Sequence, residues 1–580
     1  MEDCRGAPAS IAADGRSASA AGVPPSFVVM LPGQTTHPLS VRLRARLGAV
    51  SAYDAATVVL LLALVVLVFV TYQSYAVSND EPVQQHYGTL ILDYFRSGFT
   101  DRSLFHYVNL YLYGGLFDIF ANLLEKLFPS ADLYDVRHIF CALIGIGGIG
   151  GAWATARLVS GPRAGAIAAF SLATCGPWYG SMFNHTKDIP FAAAMIGAAY
   201  FLLRATRELP RPGRTAVFGF GLLLGAALGI RVLGLLLVGY AGLAILSHMP
   251  ARKAEPMRDQ LTFFAQSVIA LTPAFLIGYV LMTFAWPWSA LAPLNPVRGL
   301  VDFGEFNYHI STLLDGHIYQ MGNVPRWYVP LYLLIKLPLL ILTGTLLALL
   351  VLRKPAADAP RSWRRSETGL LMFMAVFPVL CEVVDRGPAF TGIRHFLFVV
   401  PLFAVLAGIG IDWLVGRLAQ RQTLIAAAAG AVVVALLISN AVLLVELHPY
   451  QYLYYNPLVG GLEGASRRFA TDYWVDIMPE AVDDLEAYVA ELDGPQKGEH
   501  RYTVAVCGQR ESFEDEAHGD PSLQWVDDWS KADFFIAPTH MNCDRALDGR
   551  VVASISRLGV LIGVVKDRRA LVRHSEVHTK

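Results

Sequence analysis

From residue 51 onward the chain alternates long apolar runs with short charged loops. A helix needs about 20 consecutive apolar residues to cross the hydrocarbon of a bilayer. Residues 55–75 meet that length. Further candidate spans are 136–156, 164–179, 189–203, 216–230, 232–246, 261–286, 329–352, 368–384, 395–414 and 424–447, which brings the expected count to about eleven. Several runs are short, and the pair divided at Arg231 also reads as one re-entrant element. Residues 1–50, rich in Ala, Ser, Gly and Pro, lack a periodic apolar pattern and read as a disordered cytoplasmic tail. They carry no apolar core of signal-peptide length after an early basic region.

The loops alternate in charge. Arg42, Arg44 and Arg46 precede the first run. Arg157 and Arg163, Arg204 to Arg214, Arg252 to Arg258, Arg353 to Arg365, and Arg417 with Arg421 fall in every second loop. The intervening loops are longer yet poorer in Lys and Arg. Cytoplasmic loops are the basic ones, so eleven spans put the N-terminus inside and residues 448–580 outside.

Two long segments then face outward. In 76–135, Val83, Tyr87, Leu90, Ile91 and Tyr94 share one helical face, and Leu110, Tyr113, Phe117, Phe120, Leu124 and Leu127 share another. Such helices lie in the membrane interface or pack on the bundle. Residues 287–328, rich in Pro, Gly, His and Tyr, have the length of a lid. The tail opens on His448-Pro-Tyr-Gln-Tyr-Leu-Tyr-Tyr-Asn456, which reads as an interfacial aromatic belt, with sugar or lipid binding the lesser reading. A helix over 478–492 and strands over 502–507, 532–537, 551–555 and 560–566 follow, forming a small α/β or α+β domain. The fold class is thus mainly α: a polytopic bundle over 51–447 with an extracytoplasmic domain over 448–580.

Composition agrees. Hydrophobic residues make up 54% and charged residues 16% of the 580, with a mean hydropathy of +0.44, against about 25% charged in soluble domains. The net charge of −1 hides an asymmetry: residues 448–580 hold 14 Lys and Arg against 22 Asp and Glu. No basic stripe with interleaved aromatics points to nucleic acid. No P-loop is present, which argues against an ATP-driven transporter. Of six Cys, only Cys507 and Cys543 lie in the tail. In an oxidising compartment they are expected to pair, the alternative being two buried thiols.

The candidate chemistry sits on the outward side. Asp80 and Glu81 follow the first span, where a carboxylate can accept the proton of an attacking hydroxyl; a solvated acidic pair at a helix end is the plain alternative. Asp188 lies in a short outward loop with His185 and Lys187. Arg231 divides two spans, Arg394 and His395 open the tenth, and Arg137 with His138 opens the second. Any one cation could be snorkelling to headgroups; together, at membrane depth, they suit a lipid phosphate and its release as leaving group. No metal or other cofactor is indicated, although a carboxylate pair of this kind could hold a divalent ion.

Asn79-Asp80-Glu81-Pro82 resembles the acidic motif in the first outward loop of the GT-C integral membrane glycosyltransferases. Lys187-Asp188-Ile189-Pro190 resembles their second acidic motif. Tyr328-Val-Pro-Leu-Tyr332, Ile335-Lys-Leu-Pro338 and Arg394-His-Phe-Leu-Phe398 resemble segments around their later spans. The likeness covers roughly 50–450 and is nearest to protein O-mannosyltransferases and to the aminoarabinose and galacturonosyl transferases of lipid A. It implies a polyprenyl-phosphate-linked sugar donor, a glycan, lipid or protein acceptor, transfer outside the cytoplasm at a bacterial inner membrane, and inversion at the anomeric carbon. In that reading Asp80 is the general base, Glu81 orients it, Asp188 holds sugar hydroxyls, and His185, Lys187, Arg231, Arg394, His395 and Arg137 bind the donor phosphate. The tail departs from the aminoarabinose transferase pattern. The alternatives are a transporter or flippase of a lipid-linked sugar, which inverted repeats would favour, and a membrane-anchored interaction protein working through its tail.

Overall fold

A computed structural model describes residues 51–305, 310–353, 359–385, 389–494 and 500–572. The expected N-terminal tail over 1–50 lies outside these residues, as does part of the 287–328 segment. Each apolar run is helical. Among the described residues seven helices are long and apolar enough to cross a membrane, and an eighth if one sharply bent pair counts as a single span. The other expected spans are shorter helices: Pro162–Ala173 has 12 residues and Arg214–Leu228 has 15, with Val232–Leu246 also short.

The helices that position the site are α1 (Ala52–Thr71), α2 (Glu81–Arg96), α3 (Leu116–Leu127), α4 (Leu133–Ser160), α5 (Pro162–Ala173), α6 (Gly176–Ser181), α7 (Asp188–Arg207), α8 (Arg214–Leu228), α9 (Leu236–Leu246) and α10 (Met257–Ala285). After them come the short α11 (Pro287–Leu291) and α12 (Asn295–Glu305) and the hairpin of β1 (Ser311–Leu314) with β2 (His317–Gln320). The last spans are α13 (Tyr328–Lys336), α14 (Leu339–Arg353), α15 (Ala359–Asp385), α16 (Val400–Ala419) and α17 (Thr423–Glu446). Small residues let these helices approach: a Cβ on Gly410 of α16 would collide with the Gly344 carbonyl of α14.

Ion pairs gather at one end of the bundle. Arg157 holds Asp54 at 2.8 Å, Arg163 holds Asp412 at 2.8 Å, and Arg207 holds Glu367 at 2.5 Å. These arginines belong to the loops read as cytoplasmic, so part of that basic bias also pins helix ends together.

α13 and α14 meet at 113°. Pro338 lacks an N–H and biases Leu337 toward extended backbone, at ψ 139°. The carbonyls freed by the break find a partner in Asn456, whose Nδ2 donates to Leu334 O at 2.7 Å and to Leu337 O at 2.8 Å. Irregular backbone at membrane depth persists when its polar groups are satisfied in this way.

The aromatic run is therefore not a belt. Tyr450, Tyr452, Tyr454 and Tyr455 are all buried, and the run lies against α6, where a Cβ on Gly180 or Gly176 would strike Tyr452 or Tyr454. Of the two amphipathic faces in 76–135, the first packs inward, Tyr87 and Ile91 of α2 forming a small core with Leu110 and Ile119; in the second Phe117 is buried, whereas Phe120 and Leu127 stay exposed.

Beyond α18 (Gly461–Ala465) and α19 (Met478–Asp493), the tail forms a five-stranded sheet. Its strands are β3 (Tyr502–Val506), β4 (Leu523–Trp525), β5 (Phe534–Pro538), β6 (Arg550–Arg557) and β7 (Val560–Asp567), in the order β4-β3-β5-β7-β6. β3 runs parallel to β4 and β5, and β7 antiparallel to β5 and β6. The short β4 and the helix α20 (Arg510–Glu516) carry too little apolar period to be read from sequence. Cys507 and Cys543 form a disulfide with Cα atoms 6.5 Å apart, as expected from their shared compartment.

Candidate active site

Helix ends converge where α1 leads into α2, α7 begins and α8 ends. Asp80 stands just before α2. The connection preceding α3 is held down by Gly115 N donating to Ala285 O at 2.9 Å and Leu116 N donating to Gly229 O at 3.0 Å. That approach needs a glycine, because a Cβ on Gly114 would fall on the Gly229 backbone. It sets Tyr113 beside Arg231 at the rim of a cavity of about 200 Å³, lined among others by Asp80, Gln84, Lys187, Arg231, Arg394 and His395.

Charge is distributed unevenly around this cavity. Asp188, 3% exposed, accepts from both Arg231 and Arg394, the latter at 3.1 Å. Arg394 also pairs with Asp80, whose side chain is 38% exposed. The oxygen of Asp80 that meets Arg394 is Oδ2, and the buried Arg231 Nε has no hydrogen-bond partner among the described residues. Lys187 makes no ion pair among them either; its Nζ lies 4.3 Å from the centre of the Tyr113 ring. Burial pulls Lys187 down to about 8, against the pull of Asp118 and Asp80. Among the described residues three cations thus face two carboxylates, and Lys187 is the cation in no ion pair.

A second cavity, apolar and about 490 Å³, lies between α3, α4, α7 and α8 and reaches Pro190 and Ile230, next to Asp188 and Arg231. Gly147 and Gly150 line it, with open space where a Cβ would stand.

The family model described as dolichyl-phosphate-mannose-protein mannosyltransferase matches residues 116–281. That match spans less than a third of the chain. Two crystal structures of ArnT from Cupriavidus metallidurans resemble this chain at 17% identity. The apo form has a TM-score of 0.47 and covers 89% of this chain and 99% of its own. The form bound to undecaprenyl phosphate has a TM-score of 0.45, covering 88% and 97%. The archaeal oligosaccharyltransferase AglB from Archaeoglobus fulgidus, in complex with an inhibitory peptide and a dolichol-phosphate, follows at 13% identity and a TM-score of 0.44, covering 84% and 69%. No curated protein matches the chain.

Not every residue singled out in the sequence reaches the cavity. Asp80, Lys187, Arg231, Arg394 and His395 line it, and Asp188 underlies it. Glu81 turns inward: its carboxylate accepts from Ser78 N at 2.8 Å and Ser78 Oγ at 3.0 Å and meets His138 Nε2 at 3.2 Å. It fixes the first turn of α2 and does not touch Asp80. Arg137 is bound to Asp118 at 2.6 Å, Glu125 at 3.3 Å and Asn122 at 3.1 Å, so it holds α3 to α4 and is unavailable to a phosphate. His185 is also engaged. Trp474 Nε1, which can only donate, gives to His185 Nε2 at 2.7 Å, and the Tyr473 hydroxyl lies 2.8 Å from the same atom. Burial pushes His185 down to about 3, so at neutral pH it is an uncharged acceptor and no phosphate-binding cation. Among the described residues no three His, Cys, Asp or Glu side chains converge as a ligand set, and Asp80 and Glu81 diverge.

The sequence reading missed Tyr473 and Trp474. Both come from the tail, 288 and 289 residues from His185. The run Thr471-Asp-Tyr-Trp-Val-Asp476, two acids flanking two large aromatics, was the available signal.

Proposed function

We propose that the protein transfers a sugar from a polyprenyl-phosphate-linked donor to an acceptor hydroxyl on the extracytoplasmic side of a bacterial inner membrane. The observation that carries this reading is the pairing of a partly exposed carboxylate, Asp80, with cations in excess around one small cavity, beside an apolar groove. Asp80 Oδ1 takes the proton of the acceptor hydroxyl as its oxygen attacks the anomeric carbon. The bond from that carbon to the phosphate oxygen breaks, and the electron pair leaves with the lipid phosphate. Lys187 Nζ and Arg231 Nε donate to the developing charge. Arg394, spent on Asp80 and Asp188, aims the base. A single displacement of this kind inverts the anomeric centre. The polyprenyl chain lies in the groove that Gly147 and Gly150 keep open.

In this reading residues 51–447 carry the chemistry and 448–580 form an outward domain that backs it. The test is transfer by the full chain in lipid nanodiscs, with undecaprenyl-phosphate-linked mannose, glucose or galactose, followed as free undecaprenyl phosphate and glycosylated acceptor. Asp80→Asn keeps the shape but cannot take a proton, and should lower turnover by about 10²–10⁴-fold. Turnover within tenfold of the parent would move the base elsewhere. An alkaline phosphatase domain fused after Lys580 should be active; a stable, inactive fusion would reverse the orientation.

A further inference from the structure

The segment 472–477 is a constrained turn at the back of the cavity. The buried carboxylate of Asp472 accepts from Asp476 N at 2.8 Å, from Ile477 N at 3.2 Å and from the Tyr452 hydroxyl. Within the turn Val475 stands at φ 62°, a left-handed conformation that a β-branched residue adopts only when its surroundings over-determine it. Three side chains of the turn reach the loop before α7, Tyr473 among them through its hydroxyl at His185 Nε2. Asp476 accepts from Asn184 Nδ2 at 2.9 Å, and Trp474 donates to His185. The Trp474 ring, 3% exposed, also lies 4.2 Å from the guanidinium carbon of Arg394.

This contact falls on the residue that links the two acidic motifs. Arg394 bonds Asp80 and Asp188 together, and those bonds come from different nitrogens, Nη2 and Nε. Their geometry depends on the plane of the guanidinium. A carboxylate pair restrains that plane only within itself; an indole ring lying against the guanidinium restricts its remaining freedom, and indole is the strongest aromatic partner for a cation. His185 in turn accepts the indole N–H, so the ring is held at its edge as well as on its face.

We propose that Trp474, contributed by the tail, is a positioning residue of the transferase centre, holding Arg394 so that Asp80 is aimed at the acceptor. The proposal rests on the transferase reading above. It assigns the tail a part in catalysis that docking alone does not require.

The experiment uses the full chain in nanodiscs with the same three undecaprenyl-phosphate-linked hexoses. Transfer by the parent protein tests the transferase reading by itself; the variants test Trp474. Trp474→Leu should lower kcat by about tenfold or more while donor KM stays within about threefold, because the contact acts on the base and leaves the phosphate cations in place. Trp474→Phe keeps a ring on Arg394 and should stay within about threefold of the parent in kcat. In an Arg394→Lys background, which has no planar face to stack, Trp474→Leu should add less than about twofold. If the Leu variant aggregates, Trp474→Met, of similar bulk and greater flexibility, takes its place. Equal kcat in the parent, Leu and Phe forms would overturn the proposal, as would equal losses in Leu and Phe, or full additivity with Arg394→Lys.

Discussion

Replacing Asp188 by Asn removes one negative charge from a site where two arginines share it. Both guanidinia are nearly buried, at 5% and 8% exposed, and Asp188 at 3%. At 3.1 Å and an effective dielectric near 20, the Arg394 pair alone is worth about 5 kcal/mol of Coulomb attraction, and the Arg231 pair a similar amount. Against that stands the cost of keeping the carboxylate out of water, several kcal/mol. Arg394 retains Asp80 after the substitution, whereas Arg231 loses its one salt-bridge partner among the described residues. The net loss of stability is therefore about 3–5 kcal/mol, the range for breaking a buried pair from one side. The assay is chemical unfolding of the full chain in mixed micelles, followed by intrinsic fluorescence. The double variant Asp188→Asn/Arg231→Gln removes the orphaned cation together with the anion and should recover about 1–2 kcal/mol relative to Asp188→Asn alone. A loss below about 1 kcal/mol for Asp188→Asn, or strictly additive costs in the double variant, would refute the shared-charge account.

Two further predictions concern Lys187 and the tail. Burial holds Lys187 near 8 in the folded protein against an unfolded value of 10.5; between those values the unfolded chain binds the extra proton, so this residue's contribution to stability rises with pH across that window. Donor affinity should do the opposite and weaken as pH passes about 8 and the cation is lost, and Lys187→Met should abolish both trends; a pH-independent donor KM in the parent would count against Lys187 as the phosphate ligand. In the tail, Cys507→Ser with Cys543→Ser opens a crosslink spanning 36 residues and should cost about 3–4 kcal/mol on the chain-entropy account, whereas thiols in the parent that alkylate under denaturing conditions without reductant would show that the bond does not form.

The hydrophobic pattern exposed the helices because a bilayer demands long apolar runs, and it exposed most tail strands because 551–555 and 560–566 are rich in β-branched residues. Asp80, Lys187, Asp188, Arg231 and Arg394 were legible for a related reason: a charge at the end of an apolar run is costly and stands out. The misreadings came from side-chain direction. Asp80 and Glu81 are neighbours in sequence, but at the start of a helix successive side chains diverge by about 100°, and Glu81 points at Ser78. His185 and Arg137 look like free cations until their partners are known, and those partners lie 289 residues away for His185 and 19 for Arg137. The run 448–456 was read by composition alone, which cannot separate a ring facing lipid from one packed on a glycine of α6.

The distance along the chain between the site's components has a consequence for its birth. Asp80 and Arg394 are 314 residues apart, and Asn184 waits 292 residues for Asp476. At roughly 5–20 residues per second, the ribosome needs on the order of 15–60 s to make the stretch separating Asp80 from its arginine. From the synthesis of Asp188 to that of Arg394 the nascent chain holds both carboxylates beyond spans already made, with part of their final ionic company still unmade. Their location at helix ends, where water or headgroups can solvate an unmatched charge, keeps the half-assembled protein tolerable to the insertion machinery. In the proposed reading the centre is complete only once Arg394 has been made and has met Asp80.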